Sequence, residues 1–464
     1  METTTPAAAA ADLTRRVRGP VLLPGQRGYD QERAGFNLAV EQRPALVVGA
    51  TGAADVRAAV GFAADHALPV AVQATGHGAG RPIDGGLLVT TRRMADVHVD
   101  ATARTARVGA GVRWSQVVER AAPFGLAPLN GSSPLVGAVG YTLGGGLPVL
   151  SRTFGWAADH VRGIDLVTAD GRSRSVGPDR DADLFWALRG GRNGFGVVTS
   201  MEIGLVPVAE LYGGGLHFPG EQASRVLHAW REWTGEVPET MNSSVALLRL
   251  PDTDGVPAPL RGRRTVHVRV AHTGPADEGA ALLRPLRDLG PRLLDTVGTI
   301  PYTAIGAVHQ DPTLPQSYDE RSLMLRAFDG PAVDTLVEAA GPGPGTGIVM
   351  AEVRHLGGAL GREPRHPGAL DHRDAAFSLS LLTPPAGTAE AGPSPAEELL
   401  ARMEPWGTGR RFLNFLGGPG GSGLAHEAFT PEALARLAAV KAAHDPGGLF
   451  PAAHLLPAGS GSGS

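Results

Sequence analysis

The chain has 464 residues, of which 42% are hydrophobic and 19% are charged, and its formal net charge at pH 7 is -4. This balance excludes a disordered chain, and the small net charge gives no reason to expect nucleic acid or an anionic membrane surface as a partner. The absence of cysteine excludes disulfides, thiolate metal ligands, iron–sulfur clusters and thiol nucleophiles.

The two ends of the chain are set apart from the fold. Residues 1–29 are interpreted as an N-terminal extension, because the arginines at 15 and 16 are not followed by the apolar stretch of a signal peptide. No window reaches the ~18 apolar residues of a membrane span. We therefore expect a cytoplasmic monomer or homodimer that acts on a small molecule. The segment 458–464 resembles a linker or tag.

Residues 30–205 are predicted to form an α+β domain. A strand at 45–48, a helix at 55–66 and a strand at 69–72 make a βαβ unit. The turn signal Asp170-Gly171 predicts a hairpin further along. The other predicted elements are, in order, short strands at 87–89, 97–99 and 106–108, a helix at 114–124, and the hairpin strands 164–168 and 172–176.

The chain changes character at about residue 206. Residues 206–406 contain alternating strand-like stretches and helical stretches, which predict an inserted antiparallel sheet covered by helices. The segment 407–457 is predicted to return to the first domain. The predicted elements of these two parts are strands at 244–250, 265–271 and 411–416 and helices at 223–233, 276–289 and 431–444.

A nicotinamide-binding site is the first alternative for the glycines near residue 50. A strand is followed there by Gly49 and Gly52, as in a Rossmann unit. The match fails because Asp55 stands where a third glycine is needed. Asp55 is expected instead near a helix N-terminus, where the helix dipole favours a carboxylate.

Glycine is concentrated in four short places of the first domain, at 76–80, 85–86, 131–146 and 190–196. Glycine lets the backbone approach a ligand closely and present several N–H groups to an anion. Four such loops in one domain predict a single extended ligand.

The amino-acid sequences of these loops resemble those of a known protein family. The segments Ala74-Thr75-Gly76-His77-Gly78-Ala79-Gly80, Gly131-Ser132-Ser133-Pro134-Leu135-Val136-Gly137, Tyr141-Thr142-Leu143-Gly144-Gly145-Gly146 and Phe195-Gly196-Val197-Val198-Thr199 occur in this order. Together with 183–191 they resemble the berberine-bridge-enzyme-like branch of the vanillyl-alcohol oxidase (PCMH-type FAD-binding) flavoproteins. The resemblance runs from about 43 to 207 and resumes at 412–415 and 441–450, about half of the chain.

The resemblance implies a two-part PCMH-type FAD-binding domain with an inserted substrate domain. It also implies FAD joined to His77 through an imidazole nitrogen. Many relatives carry a second anchor, a cysteine, where this chain has Ser133. A hydroxyl is a far weaker nucleophile than a thiolate, so a single attachment is expected. The implied cofactor-binding residues are Gly76, His77, Gly78, Ala79, Gly80, Ser132, Ser133, Val136, Gly137, Gly140, Tyr141, Gly144, Gly145, Gly196, Val198 and Asn414.

The C-terminal return departs from the family pattern. The usual Tyr-x-Asn-Tyr segment often supplies a phenolic base, and here it is Phe412-Leu413-Asn414-Phe415. Asn414 either hydrogen-bonds near the flavin or satisfies backbone groups. A base, if one is needed, must then come from the inserted domain.

Alternation on a strand places Glu352 and Arg354 on one face and His355 on the other. We expect Glu352 to act as acid or base and Arg354 to orient a polar substrate, against the alternative of a structural ion pair. Tyr302 is a further catalytic candidate, as are Tyr141 and Tyr318, although packing beside the flavin loop suits Tyr141 better. No spacing of histidines and carboxylates predicts a metal site.

The implied reaction is hydride transfer to flavin N5 from a C–H bond of an alcohol, hemiacetal, amine or activated ring carbon, with dioxygen as acceptor and hydrogen peroxide as product. One alternative is a flavin-dependent oxygenase acting on a polyketide-like or phenolic intermediate, because relatives without the tyrosines include such enzymes. The other alternative is an FAD-binding protein without turnover.

Overall fold

A computed structural model describes residues 6–341, 343, 346–385 and 393–452 of the chain. The tail expected at 458–464 lies outside these residues. Within them the chain forms three separate sheets that follow one another in sequence. The mixture of antiparallel sheets and helices confirms the predicted α+β class.

The first sheet has four strands in the order β1-β2-β4-β3. β2, β3 and β4 are parallel, whereas β1 runs antiparallel to β2. The predicted βαβ unit is thus confirmed, with β4 inserted between its two strands. The elements of this part are α1 (Pro6–Arg16), β1 (Val21–Leu22), α2 (Tyr29–Arg33), β2 (Leu46–Gly49), α3 (Ala53–Asp65), β3 (Val70–Gln73) and β4 (Leu87–Thr90).

Asp55 lies in the first turn of α3, as expected, and is buried. Its carboxylate accepts hydrogen bonds from the backbone N–H groups of Arg18, Gly19 and Thr51 at 2.9–3.1 Å. Burial alone raises the pKa of Asp55, but these hydrogen bonds outweigh it and leave the pKa below its ordinary value. Asp55 therefore ties the N-terminal segment to the first sheet.

The second sheet has five antiparallel strands in the order β5-β6-β9-β7-β8. The predicted hairpin is confirmed as β7 and β8, and Gly171 in its turn has φ +71°, a conformation that favours glycine. The elements are β5 (Val97–Asp100), β6 (Thr105–Gly109), α4 (Trp114–Ala121), α5 (Ala138–Leu143), α6 (Ser151–Phe154), β7 (Val161–Val167), β8 (Ser173–Val176), α7 (Ala182–Leu188) and β9 (Val197–Gly204).

The third sheet has eight antiparallel strands, ordered β13-β10-β12-β11-β16-β17-β15, with β14 beside β10. It is the antiparallel sheet expected in the inserted part of the chain. Its elements and those that follow are β10 (Glu210–Pro219), α8 (Ala223–Thr234), β11 (Met241–Arg249), β12 (Arg264–His272), α9 (Ala276–Arg287), β13 (Leu294–Asp295), β14 (Gly298–Pro301), β15 (Asp319–Leu325), α10 (Gly330–Ala340), β16 (Met350–His355), β17 (Phe377–Thr383), α11 (Pro395–Met403) and α12 (Pro431–His444).

The two faces of the third sheet differ because side chains alternate along each strand. Val268, Leu323 and Val353 belong to the apolar face, which packs against α8, α9, α10 and α11 in one large core. Glu352 and Ser380 are paired across β16 and β17 and belong to the opposite, polar face. The helices thus leave a row of polar side chains on the other side of the sheet.

The strand predicted at 411–416 is wrong. Residues Leu413–Phe415 form a short 3-10 helix instead. The backbone N–H of Phe412 donates to the Ser322 hydroxyl, and the N–H of Phe415 donates to the carbonyl of Phe412, so this backbone bonds locally and to a side chain rather than to a strand. No helix among the described residues is long and apolar enough to cross a membrane.

We expect Asp55→Asn to lower the free energy of unfolding by about 2–3 kcal/mol, because buried backbone N–H groups lose a charged acceptor. Since the pKa of Asp55 is depressed in the folded state, the difference from wild type should be present above pH ~4 and should vanish as the pH falls through the folded value. Urea unfolding of both proteins at several pH values measures it. Asp65→Asn, at the exposed far end of α3, is the control; equal effects of the two changes would contradict the assignment.

Candidate functional site

A cavity of ≈ 1140 Å³ lies between the glycine-rich loops and the polar face of the third sheet. It exceeds the roughly 300–1,000 Å³ of pockets for drug-sized ligands. Its wall includes residues 69–84, 131–133 and 192–194 from the first part of the chain, and 413–416 from the C-terminal return. The third sheet and the loop before β15 contribute Asp311, Tyr318, Glu320, Met350, Glu352, Arg354, Ser380 and Leu382.

His77 is the histidine of this wall. Its ring stacks on Phe36 with centroids 3.9 Å apart, and its Nδ1 lies 2.9 Å from the hydroxyl oxygen of Thr75. Nε2 is buried and has no hydrogen-bond partner in the described chain. Burial, with a smaller contribution from Arg113, lowers the pKa of His77 to about 4, so the imidazole is neutral at pH 7. A neutral, oriented imidazole with one free nitrogen is suited to act as a nucleophile.

Residues outside the loop 76–80 donate hydrogen bonds to the carbonyl groups of this loop. Arg192 donates to the carbonyl of Gly78, and the N–H of Gly418 donates to the carbonyl of Ala79. The N–H groups of residues 78–80 form no backbone hydrogen bond within the described chain. A Cβ atom at Gly78 would lie 2.5 Å from Arg192 Nη2, so a side chain there would displace the arginine. The loop therefore offers a row of N–H donors, as an anion-binding loop does.

The second glycine-rich segment meets the first at Thr75. The Thr75 hydroxyl accepts a hydrogen bond from the N–H of Gly137 at 3.3 Å, so one side chain connects His77 with the loop at 131–137. The N–H groups of Ser132 and Ser133 form no backbone hydrogen bond in the described part of the chain. The Ser133 hydroxyl accepts from the N–H of Leu135.

Most of the residues predicted to bind the cofactor line this cavity, but Gly144 and Gly145 do not. A Cβ atom at Gly144 would meet the side chain of Asn414, and one at Gly145 would meet Leu370. Asn414 does line the cavity, and its amide donates to the carbonyl of Tyr141 at 2.9 Å. The bond to the carbonyl of Tyr141 fits the interpretation that Asn414 satisfies a backbone group, and a hydrogen bond near the flavin stays a prediction.

Tyr302 is not brought to the cavity. Its hydroxyl is buried and donates toward the carbonyl of Pro128 and the side-chain oxygen of Asn130. Burial raises its pKa far above the ordinary value. The expected catalytic role of Tyr302 therefore has no support in this geometry, because the phenol is committed to a structural position.

Glu352 and Arg354 share the cavity face of β16, as predicted, and His355 points away to Arg152. Arg354 Nε donates to Glu352 at 2.9 Å, and the guanidinium lies 5.0 Å from the ring centroid of Phe415. Phe415 thus stacks on the arginine at the position where a phenol was expected. The stacking and the hydrogen bond fix the orientation of Arg354.

The carboxylate of Glu352 is only 1% exposed and is surrounded by donors. Arg269 and Ser244 also bond to it, and His309 Nε2 lies 3.6 Å away. Burial would raise the pKa of Glu352, but Arg354 and Arg269 hold it well below the ordinary range. Glu352 therefore stays ionised at neutral pH, and the acid or base role expected of it does not fit this environment.

Four further residues of the cavity wall were not predicted from the sequence: Arg192, Asp311, Glu320 and Ser380. Glu320 is the most informative of them, because it lies on the cavity face of β15 and accepts a hydrogen bond from Ser380 at 3.2 Å. The sequence did carry a signal for Glu320: side chains alternate along a strand at 319–325, which places Glu320 on the same face as Ser322. In the described part of the chain, no group of three or more histidines, cysteines and carboxylates is placed to hold a metal ion.

Comparison with known proteins agrees with this site. Residues 44–177 match a family profile described as an FAD binding domain. The chain is 30% identical over 458 residues to (R)-6-hydroxynicotine oxidase of Paenarthrobacter nicotinovorans, which covers 94% of this chain and 95% of that protein.

Solved structures give the same picture of the fold. The crystal structure of 6-hydroxy-D-nicotine oxidase from Arthrobacter nicotinovorans matches with a TM-score of 0.81 and 27% identity, covering 94% of this chain and 97% of the other. The glucooligosaccharide oxidase of Acremonium strictum, studied for its 6-S-cysteinyl, 8α-N1-histidyl FAD, matches with a TM-score of 0.82 and 21% identity. The two matched regions cover 97% of this chain and 98% of that one.

We expect Glu352→Gln to lower the free energy of unfolding by about 3–5 kcal/mol, because the neutral amide leaves Arg269 and Arg354 as unpaired buried charges. Glu239→Gln is the matched control, since it breaks an exposed arginine–carboxylate pair with Arg362 and should hardly change stability. Urea unfolding measures both. A small loss for Glu352→Gln, equal to that of the control, would show that the buried pair is unimportant to the fold.

Proposed function

The chain belongs to the vanillyl-alcohol oxidase (PCMH-type) family of FAD-binding oxidoreductases, and from that premise we propose an oxidase with FAD attached covalently to His77. Its substrate is a small organic molecule that loses a hydride from a C–H bond beside a heteroatom. Dioxygen is the final electron acceptor, and hydrogen peroxide is the second product.

The residues of the cavity fit FAD. The free N–H groups of 78–80 and of Ser132 and Ser133 suit its pyrophosphate, because amides in glycine-rich loops bind anions without a positive side chain. The unpartnered Nε2 of His77 is a buried polar atom that a bond to a ligand would satisfy. When bound, FAD supplies a two-electron acceptor that dioxygen can reoxidise.

The environment of His77 supports covalent attachment. Because burial keeps the imidazole neutral, one ring nitrogen holds a lone pair at pH 7. In the tautomer that we propose, Nδ1–H donates to Thr75 and the lone pair lies on Nε2. The stack on Phe36 holds the ring plane. Ser133 is the residue where relatives have their second anchor, so we propose a single bond.

The polar face of the third sheet provides the substrate side. Arg354, fixed by Glu352 and Phe415, is placed to bind an oxygen or another electron-rich group of the substrate. The Tyr141 hydroxyl is buried without a partner in the described chain, and burial holds its pKa well above the ordinary value. It can therefore donate a hydrogen bond but cannot accept a proton at neutral pH. The relative named (R)-6-hydroxynicotine oxidase makes a cyclic amine the first substrate class to test.

One observation carries the proposal: a neutral histidine lies in a large cavity beside a glycine-rich loop, and within the described residues neither its buried Nε2 nor the N–H groups of 78–80 have a hydrogen-bond partner. A protein that only packed this loop would be expected to satisfy these groups internally.

His77→Ala should bind FAD without a covalent bond. After acid precipitation, we expect the yellow colour of wild type to stay in the pellet and that of His77→Ala to move to the supernatant. Thr75→Val should attach FAD more slowly, because it removes the hydrogen bond that orients the imidazole. The measurement is flavin absorbance in both fractions over time.

His98→Ala, which changes an exposed histidine of β5, is the control and should keep its flavin in the pellet. A colourless wild-type pellet from FAD-loaded protein would rule out covalent attachment and leave only tight binding.

Anaerobic mixing with a panel of compounds identifies the substrate class. We expect bleaching of the flavin by at least one amine or alcohol, and one hydrogen peroxide per product when oxygen is readmitted. The panel should include both enantiomers of 6-hydroxynicotine, cyclic amines without its pyridine ring, secondary alcohols and hemiacetals. Absorbance near the flavin maximum and a coupled peroxide assay are the two readouts.

Labelled dioxygen separates the oxidase from its alternatives. The oxidase leaves no label in the organic product, whereas label in the product would identify a flavin-dependent oxygenase. A flavin that no compound bleaches would instead favour an FAD-binding protein without turnover.

A further inference from the structure

Glu320 lines the cavity beside the C-terminal return, in which this chain has phenylalanines where the family pattern has tyrosines. It lies on β15, and its backbone N–H donates to the carbonyl of Gly417 in the C-terminal return at 2.9 Å. Its carboxyl group is on the same face as Ser380 and Glu352, which pair directly across β17 and β16. Glu320 therefore joins the return segment to the polar face.

Two other acid–base groups of the cavity wall, Glu352 and Tyr318, are already committed. Glu352 is ionised and surrounded by donors. Tyr318 donates its hydroxyl to the carbonyl of His77, and burial raises its pKa above the ordinary value. Phe412 and Phe415 carry no proton-accepting group. Of the two carboxyl groups that the third sheet places in the cavity wall, Glu320 and Glu352, this leaves Glu320 to act as a base.

The carboxyl group of Glu320 keeps room for a ligand. Oε1 accepts a hydrogen bond from Ser380, and Oε2 has no hydrogen-bond partner among the residues that the structure describes. One oxygen is therefore anchored while the other can accept a proton within the cavity. This is the opposite of Glu352, both of whose oxygens bond to arginine or serine.

Several charged groups face Glu320 from the elements packed around it. Burial raises the pKa of Glu320 to about 7, and the negative charges of Glu352 and Asp311 act in the same direction. The hydrogen bond from Ser380 and the positive charge of Arg354 act against it. Arg192 faces it from the loop after α7; burial lowers the pKa of Arg192, and the charge of Glu320 acts against that lowering. Such a group exchanges its proton at neutral pH.

We propose that Glu320 is the catalytic base of the oxidation. This role rests on the proposed function. In the reaction, the Glu320 carboxylate takes the proton of the substrate's O–H or N–H group. The neighbouring C–H bond breaks, its hydrogen and both electrons pass as hydride to the FAD, and a C=O or C=N bond forms. Bound FAD would take up the two electrons that the substrate loses, and Glu320 would later return the proton to water.

The test compares wild type with Glu320→Gln and Glu320→Asp, using the compound of the panel that reduces the flavin fastest. In anaerobic stopped flow, the wild-type reduction rate should rise with pH and level off above neutral pH, where the carboxylate is ionised. Glu320→Gln should be slower by about 10²–10⁴-fold on the plateau and should lose the pH dependence. Glu320→Asp should recover part of the rate and all of the pH dependence.

Asp311→Asn gives a readout that a purely structural Glu320 would not move. Removing the charge of Asp311 takes away one cause of the raised pKa of Glu320, so the midpoint of the pH profile should shift to lower pH. Infrared difference spectra of the FAD-loaded proteins provide a second readout that does not need turnover. A protonated carboxyl C=O band should titrate near neutral pH in wild type, shift in Asp311→Asn, and be absent in Glu320→Gln.

The outcomes separate the two proposals. An unchanged rate and profile in Glu320→Gln, or an infrared band that persists in that variant, would overturn the role of Glu320 while leaving the oxidase intact. Failure of every compound to reduce the flavin of wild type would overturn the proposed function, and the catalytic role of Glu320 with it. The infrared titration would then still decide whether Glu320 exchanges its proton near neutral pH.

Discussion

A carboxylate buried as deeply as Glu352 is stable only when positive and polar partners replace the water it has lost. Here Arg269, Arg354 and Ser244 provide that compensation, and each of them is thereby held in one orientation on the polar face of the third sheet. The same interaction leaves Glu352 ionised, so it can position Arg354 but cannot exchange a proton at neutral pH. On the same face of the sheet, its fixed negative charge adds to the effect of burial in raising the pKa of Glu320.

The cavity combines two kinds of surface that come from distant parts of the chain. The glycine-rich loops contribute backbone N–H groups and one histidine, whereas the third sheet contributes charged side chains. The C-terminal return contacts both surfaces: Leu413 accepts from Arg192 and Asn414 donates to the carbonyl of Tyr141 on the loop side, and the carbonyl of Gly417 accepts from the N–H of Glu320 on the sheet side. A ligand in this cavity would therefore contact backbone N–H donors on one side and charged side chains on the other.

Much of the fold followed from local pattern. The alternation in β16 correctly placed Glu352 with Arg354 and turned His355 away, and the turn Asp170-Gly171 correctly predicted a hairpin. The segment 411–416 was mistaken for a strand, because its apolar residues fit a strand equally well and the bond from Phe412 to Ser322 depends on tertiary contacts.

The site was harder to predict than the fold. Glycine-rich loops are visible in a sequence, and nearly all of the loop residues expected at the site do line the cavity. The ionisation of Glu352 depends on Arg269, 83 residues away in the chain, and the exposure of Glu320 to the cavity depends on strand order. Both are properties of packing. A tyrosine such as Tyr302 likewise cannot be assigned to a site or to a core from its neighbours in sequence.

Mass spectrometry of the proteolytic peptide that contains His77 tests the central claim most directly, because it identifies the modified residue and needs no substrate. From FAD-loaded protein, the account predicts a peptide heavier by one FAD less two hydrogen atoms, with fragmentation that places the added mass on His77 and not on His66. An unmodified peptide from protein that contains stoichiometric FAD, or the added mass on another residue, would contradict it.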